Sequence, residues 1–323
     1  MKLVSRSVLT AAIIAASCFM HSFALAQPYP SRTVRFVVPF PPGGGTDTVA
    51  RILAQKVTES WIQRVVVENR PGAQGNIGTA YVAKAPPDGY TLILAYVGTM
   101  AIAPWLYKDL GYDPIRDFAH VSQLSSQPIL IVVHPSIPAK DLKGLVALAK
   151  AKPDTLAYAS TGQFPQMAGE LFKSMTGTKM IHVPYKGAGP ATTDLLGGHI
   201  SLMFASPASA VHVKTGRLRA LAVTGSSRLS TLPDVPTVTE VGYSYLEMSG
   251  WYGVSAPRGT PADVLARLNS EFAKAAALPQ VQEALNRTGI ESVGNSAEEF
   301  TRYVKAEYER WGKIVKQSGV KAE

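Results

Sequence analysis

Residues 38–51 read VPFPPGGGTDTVAR. A run of apolar residues from Thr33 to Pro39 ends in prolines, passes through Gly43, Gly44 and Gly45, and resumes at Thr46 with helical periodicity. Val49, Ile52, Leu53 and Val57 then recur on one helical face, which predicts a helix from Thr46 to Trp61. The stretch is therefore a strand, a glycine loop and a helix, the unit from which α/β folds are built. Free N–H groups and the helix dipole at such a start favour an anion without help from lysine or arginine. Thr46 or Asp47 is expected to cap the helix. No nucleotide fingerprint is present. The Walker pattern needs a lysine that is missing here, and Thr48 stands where G-x-G-x-x-G needs its last glycine.

The same alternation runs outward from this stretch. Strands are expected at 64–68, 91–96, 128–134, 156–160, 181–185, 200–204, 220–224 and 252–256. Helices are expected at 75–84, 141–151, 167–175, 191–196 and 207–214, from Pro261 onward, and at 297–317. Continuous apolar strands between amphipathic helices imply parallel sheets covered on both faces. Two crossover α/β units of about a hundred residues are expected, from chain length and domain-size priors. Small residues and prolines at 125–128 and 226–236 mark candidate hinges. In the last helix Phe300, Val304, Tyr308, Trp311 and Val315 form a packing stripe.

Of the 323 residues, 46% are hydrophobic and 17% charged, ordinary proportions for a chain with a sizeable core. The first 26 residues have another character. Lys2 and Arg6 precede the short apolar run VLTAAIIAASCFM, and Ala24-Leu25-Ala26 forms an A-x-A site. This pattern predicts a secretory leader cleaved after Ala26, and hence export to the periplasm. Cys18, the only cysteine, would leave with it, which removes disulfides, thiolate metal sites and cysteine nucleophiles from consideration. The formal charge of +9 is spread along the chain. Nucleic-acid binding wants a basic stripe with interleaved aromatics, which is absent; a mild positive field suits anionic ligands.

In open parallel sheets ligands bind beyond the carboxyl ends of strands. Five loops stand there: Gly43 to Asp47; Tyr96-Val97-Gly98-Thr99; Ser160-Thr161-Gly162-Gln163; Lys186-Gly187-Ala188-Gly189; and Ala205-Ser206. Five such loops in two units suggest facing jaws. No G-x-S-x-G elbow or H-E-x-x-H is present, and His120, His134, His182, His199 and His212 lack ligand spacing, so neither catalysis, metal nor cofactor is expected. Asp47 is read as a cap rather than a general base.

Longer motifs carry a resemblance. VPFPPGGGTDTVARILAQKV, VVVENRPGAQGNIG, APPDGYTLIL and YDPIRDF are followed in order by AGELFKSMTG, VPYKGAGPATTDLLGGHI, LRALAVTGSSRLSTLPDVPTVTEVGY and WYGVSAPRGTP. The series resembles the Bug family, the substrate-binding proteins of tripartite tricarboxylate transporters, over essentially the whole chain beyond the leader. The resemblance implies a two-domain α/β periplasmic binding protein of the type II-like, Venus-flytrap kind, with the ligand cleft between domains. Domain 1 would comprise 27–125 and 237–323, and domain 2 would comprise 126–236. It implies a small carboxylate as ligand, a membrane permease as partner, a monomer and no catalysis. The first jaw would be Gly43, Gly44, Gly45, Thr46, Asp47, Gly98 and Thr99. The second would be Ser160, Thr161, Gly162, Gln163, Lys186, Gly187, Ala188 and Gly189, flanked by Ala205 and Ser206.

Two departures bear on the ligand. Many relatives have a longer Gly/Ser-rich loop and a histidine where this chain has TGQFPQM, with Met167 in the histidine's place. Many also have an acidic residue at Ala205, whose loss here disfavours a ligand amine and favours a mono- or dicarboxylate with an apolar or aromatic body. Two other readings remain at this level: a sensory protein presenting its ligand to a receptor kinase, and a periplasmic hydrolase using Asp47 or a histidine.

Overall fold

A computed structural model describes residues 29–318 and 320. The expected leader, its cleavage site and Cys18 lie outside the described residues. The order from the first strand is β1 (Val34–Val38), α1 (Gly45–Ser60), β2 (Val65–Asn69), α2 (Asn76–Ala83), β3 (Thr91–Tyr96), α3 (Ala103–Leu106) and β4 (Phe118–Pro128). Then come β5 (Leu130–Val133), α4 (Leu142–Ala151), β6 (Ala157–Ser160), α5 (Gln163–Thr176), β7 (Ile181–Pro184), α6 (Ala188–Leu196), β8 (Leu202–Ala205), α7 (Ala210–Lys214) and β9 (Arg219–Val223). The chain closes with β10 (Ser249–Pro257), α8 (Ala262–Ala277), α9 (Pro279–Asn286), β11 (Glu291–Ser292) and α10 (Ala297–Ser318).

Two sheets organise these elements. One has the order β11-β4-β10-β3-β1-β2, the other β7-β6-β8-β5-β9. The chain passes from the first to the second between Pro128 and Leu130, and returns between Val223 and Ser249. Thr224 joins the two passages. Its hydroxyl accepts the Ile129 N–H at 2.8 Å and donates to the Met248 carbonyl at 2.7 Å. Its backbone bonds to the same two residues.

The expectation of parallel sheets needs correcting. β1 pairs in parallel with β2 and β3, and β6 with β7 and β8. β10, however, runs antiparallel between β3 and β4, and β5 runs antiparallel between β8 and β9. The reason is topological. Each is the first strand after a passage, so it enters its sheet at the edge where the other sheet's strands left off and must run away from that edge. β4 also went unexpected. Its sequence, FAHVSQLSSQP, lacks an apolar run, yet Ser122, Gln123, Ser125 and Gln127 are buried. Part of that burial is satisfied locally: the Ser122 hydroxyl donates to the Asn295 carbonyl, and the Gln123 N–H to the Asn295 side chain.

Most of the periodic segments appear within a residue or two of expectation. α5 is an exception, starting at Gln163 rather than Met167, which makes Gly162 its N-cap. Gly98–Ile102 form a widened helical turn leading into α3. In α10, Phe300, Val304, Trp311 and Val315 are buried, while Tyr308 stacks on Trp105 at 4.8 Å between centroids.

Candidate functional site

The carboxyl ends of both sheets face one cavity of about 510 Å³. Its chemistry begins with helix starts. α1, α5 and α6 open behind Gly44, Gly162 and Gly187, none with a side-chain cap. The first turn of a helix leaves N–H groups without intrahelical partners, and a serine or aspartate cap would normally take one. Glycine takes none, so these donors and the positive ends of the helix dipoles remain available. Gly44, Gly45 and Thr46 line the cavity at α1, Thr161, Phe164 and Pro165 at α5, and Lys186, Gly187, Ala188 and Gly189 at α6. Among the described residues, Lys186 is the one charged side chain on the wall, and no carboxylate lines it. Among the described residues Lys186 has no ion-pair partner.

The walls are otherwise apolar and aromatic. Phe40, Tyr96, Phe164, Phe204 and Tyr252 contribute rings, joined by Pro41, Pro128, Ile129 and Ile290. Phe40 meets Tyr96 edge-on at 5.4 Å between centroids, and Tyr96 lies 5.7 Å from Tyr252. Each phenol sits beside a helix start: a β-carbon on Gly45 would lie 3.5 Å from the Tyr252 hydroxyl, and one on Gly162 would lie 4.0 Å from that of Tyr96. Burial pushes the Tyr252 phenol up to about 12, against a lowering by the neighbouring Gln127 side chain. Burial, with the neighbouring Tyr252, also raises Tyr96, against a lowering by the nearby Phe164 backbone. Both phenols thus keep their protons at ordinary pH and can donate.

The expected site residues divide into three groups. Gly43, Gly44, Gly45, Thr46, Thr161, Lys186, Gly187, Ala188, Gly189, Ala205 and Ser206 line the cavity. Asp47, Ser160, Gly162 and Gln163 stand just behind it. Asp47 accepts the Gly43 N–H at 3.0 Å, Arg51 at 2.9 Å and Asn69 at 2.9 Å. Asn69 also donates to the Phe40 carbonyl at 3.0 Å. Burial pushes the Asp47 carboxyl up, but the hydrogen bonds from Arg51, Gly43 and Asn69 outweigh it and the net direction is down. At neutral pH it is an anion that braces the loop. Helix capping at Gly44 itself uses neither Thr46 nor Asp47; the aspartate reaches one residue further back. The Ser160 hydroxyl is taken by His182 at 2.7 Å. Gly98 and Thr99 stand apart from the wall: the fully buried Thr99 hydroxyl donates to the Tyr96 carbonyl, behind the ring that does line it.

Tyr252, Gln127, Thr288 and Ile290 also line the cavity, and reading strand ends misses them. Tyr252 lies near the start of β10, but that strand is antiparallel and places Tyr252 opposite Tyr96. Ile129 arrives in the same way, one residue before antiparallel β5. Among the described residues no three His, Asp or Glu side chains converge on a possible metal position. No helix among them is long and apolar enough to cross a membrane.

Known proteins share this fold. The periplasmic binding protein BugD superposes with a TM-score of 0.83 at 36% identity, covering 91% of this chain and all of BugD. Rpa4515 of R. palustris, solved with adipate, gives 0.85 at 38% identity over 91% of this chain and 99% of its own. MatC of Rhodopseudomonas palustris, solved with malate, gives 0.82 at 32% identity over 89% of this chain and all of its own. The fold is that of a two-domain periplasmic binding protein, and the two sheets are the cores of its lobes. A model of the tripartite tricarboxylate transporter family receptor matches residues 49–320, and the chain belongs to that family of solute-binding receptors.

Proposed function

We propose that this chain captures a small organic carboxylate in the periplasm and delivers it, as a monomer and without catalysis, to the membrane permease of a tripartite tricarboxylate-type transporter. The observation that carries the reading is the charge balance of the cavity wall: among the described residues, three uncapped helix starts and one lysine, with no carboxylate. Such a wall solvates an anion and offers no counter-ion to an ammonium group. The five rings and the prolines then suit a ligand body that is apolar or aromatic. Adipate and malate in the relatives are small carboxylates of this general class. Gly43–Thr46 and Thr161, with Lys186–Gly189, Ala205 and Ser206, are proposed as the gripping residues, with Asp47 bracing the first loop and Tyr96 and Tyr252 added as donors. Residues 1–26 are proposed as the cleaved leader. The lobes are proposed as 27–125 with 237–323, and 126–236.

A thermal-shift panel tests this directly. Mono-, di- and tricarboxylates, aromatic acids and amino acids are each added to purified protein. Stabilisation by carboxylates without an amine is expected; a response to amino acids alone contradicts the reading. Turnover of any stabilising compound would contradict the non-catalytic assignment.

A further inference from the structure

The N-terminus of α5 belongs to one lobe and is finished by the other. Gly162 offers α5 no side-chain cap, and the start of that helix lies beside Tyr96 at the end of β3, whose hydroxyl would be 4.0 Å from a β-carbon on Gly162. Beside it Gln163 is fully buried against Gly98, so closely that a β-carbon there would lie 2.6 Å from the glutamine oxygen. Phe164 meets Trp311 edge-on at 5.7 Å between centroids, and a β-carbon on Gly250 would lie 2.9 Å from its ring. Tyr96, Gly98, Gly250 and Trp311 all belong to the six-stranded lobe, whereas Gln163 and Phe164 belong to the five-stranded one.

The two neighbouring residues pull in opposite directions. Phe164 buries a ring against Trp311, which favours contact between the lobes. Neither the nitrogen nor the oxygen of the Gln163 side chain has a hydrogen-bond partner among the described residues. Contact therefore takes that amide out of water without replacing its bonds, which favours separation. We propose that the start of α5 is an opposed latch between the lobes: Phe164 and Tyr96 draw them shut, while the Gln163 amide resists. Closure of the empty receptor is held back by Gln163 until an occupant adds its own contacts. Tyr96 couples the two events. Its hydroxyl stands beside the start of α5 and its ring lines the cavity, so its proton can serve an anion there. One hydroxyl thereby borders the helix start of one lobe and faces the ligand from the other.

The proposal rests on the two-lobe reading and on no particular ligand, so it is tested on the ligand-free protein. Small-angle X-ray scattering, fitted as a mixture of open and closed forms, and acrylamide quenching of tryptophan fluorescence report lobe contact. Gln163→Leu removes the amide at similar volume and is expected to raise the closed-to-open ratio about tenfold, the order of an unsatisfied buried polar group. Gln163→Met is a second, unbranched replacement expected to act in the same direction. Phe164→Ala and Tyr96→Phe are expected to lower the ratio. Unchanged scattering and quenching in both Gln163 variants, or a shift toward the open form, overturns the latch whatever the thermal-shift panel finds.

Discussion

The loops at the starts of α1 and α6 share one plan and differ in what holds them. Both run from a strand through glycines into a helix, and both line the cavity. The α1 loop is braced from behind by Asp47, which ties the Gly43 N–H to Arg51 and Asn69. Gly45 packs against Tyr252 and Ile290. Among the described residues the α6 loop has no comparable brace behind its glycines, and it bonds to its own helix, from Tyr185 to Asp194 and from Thr193 to the Gly189 carbonyl. Lys186 and Ala188 to Pro190 are exposed, and a β-carbon on Gly187 or Gly189 would meet nothing within 4 Å. One lobe thus presents a preorganised set of donors and the other an open one. Preorganised donors cost little ordering on binding, whereas an open loop conforms to its ligand at an entropic cost.

The largest expected effect separates the two by the same kind of change. Gly187→Leu places its side chain in open cavity space at a backbone angle of φ 164°, which any residue adopts. Affinity for the carboxylate found by thermal shift is expected to fall about 100-fold, the loss of a few charge-assisted bonds, with the melting temperature of the empty protein unchanged. Gly45→Val has Tyr252 and Ile290 in its way, so affinity and melting temperature are expected to fall together. Calorimetric titration and thermal melts measure both. If Gly187→Leu also lowers the melting temperature, the α6 loop is not the open one.

How much of this was legible in sequence follows from the same contrast. Strand-glycine-helix units announce themselves locally, because apolar runs, prolines and glycines fix them without reference to distant residues. The α1, α5 and α6 loops were therefore visible, and so was the absence of acid at Ala205. What escaped depends on strand direction and on pairing between remote segments. Tyr252 lines the cavity because β10 runs against its neighbours, and Gln127 because the polar strand β4 is buried with its serines and glutamines inside. Gly98 and Thr99 sat at a strand end as expected, yet the wide helical turn after β3 folds Thr99 behind Tyr96. Whether a residue points into a cavity or behind its wall is a matter of one turn, which periodicity does not resolve.

Removing the brace should make the first loop resemble the second. Asp47→Asn keeps the volume but weakens three hydrogen bonds around a buried carboxylate, for an expected loss of about 1–3 kcal/mol in stability. Its partner Arg51 is half exposed, which holds the figure to the low end. The pH dependence has a definite sign. The folded carboxyl lies below its ordinary value of 3.8, so its contribution is present above that value and is lost as pH falls through the folded one. Wild type and Asp47→Asn should therefore differ at neutral pH and begin to converge as pH falls below 3.8, the ordinary value of the carboxyl. Urea unfolding at several pH values measures this. A constant difference down to pH 3 would show that the loop is held by something other than the charge.

The smallest effect belongs to the open loop. Lys186 is exposed, so its attraction for an anion is screened and its side chain must be ordered to act. Lys186→Ala is expected to weaken binding about threefold at low salt, the scale of an exposed ion pair, and less at high salt. Most of that change should appear in the association rate, since a rim charge steers an incoming anion more than it holds one. Stopped-flow association at two ionic strengths separates the alternatives. A loss of 100-fold that persists in high salt would mean that the α6 loop closes over the ligand and buries Lys186 against it, in which case the open lobe becomes, when occupied, as ordered as the braced one.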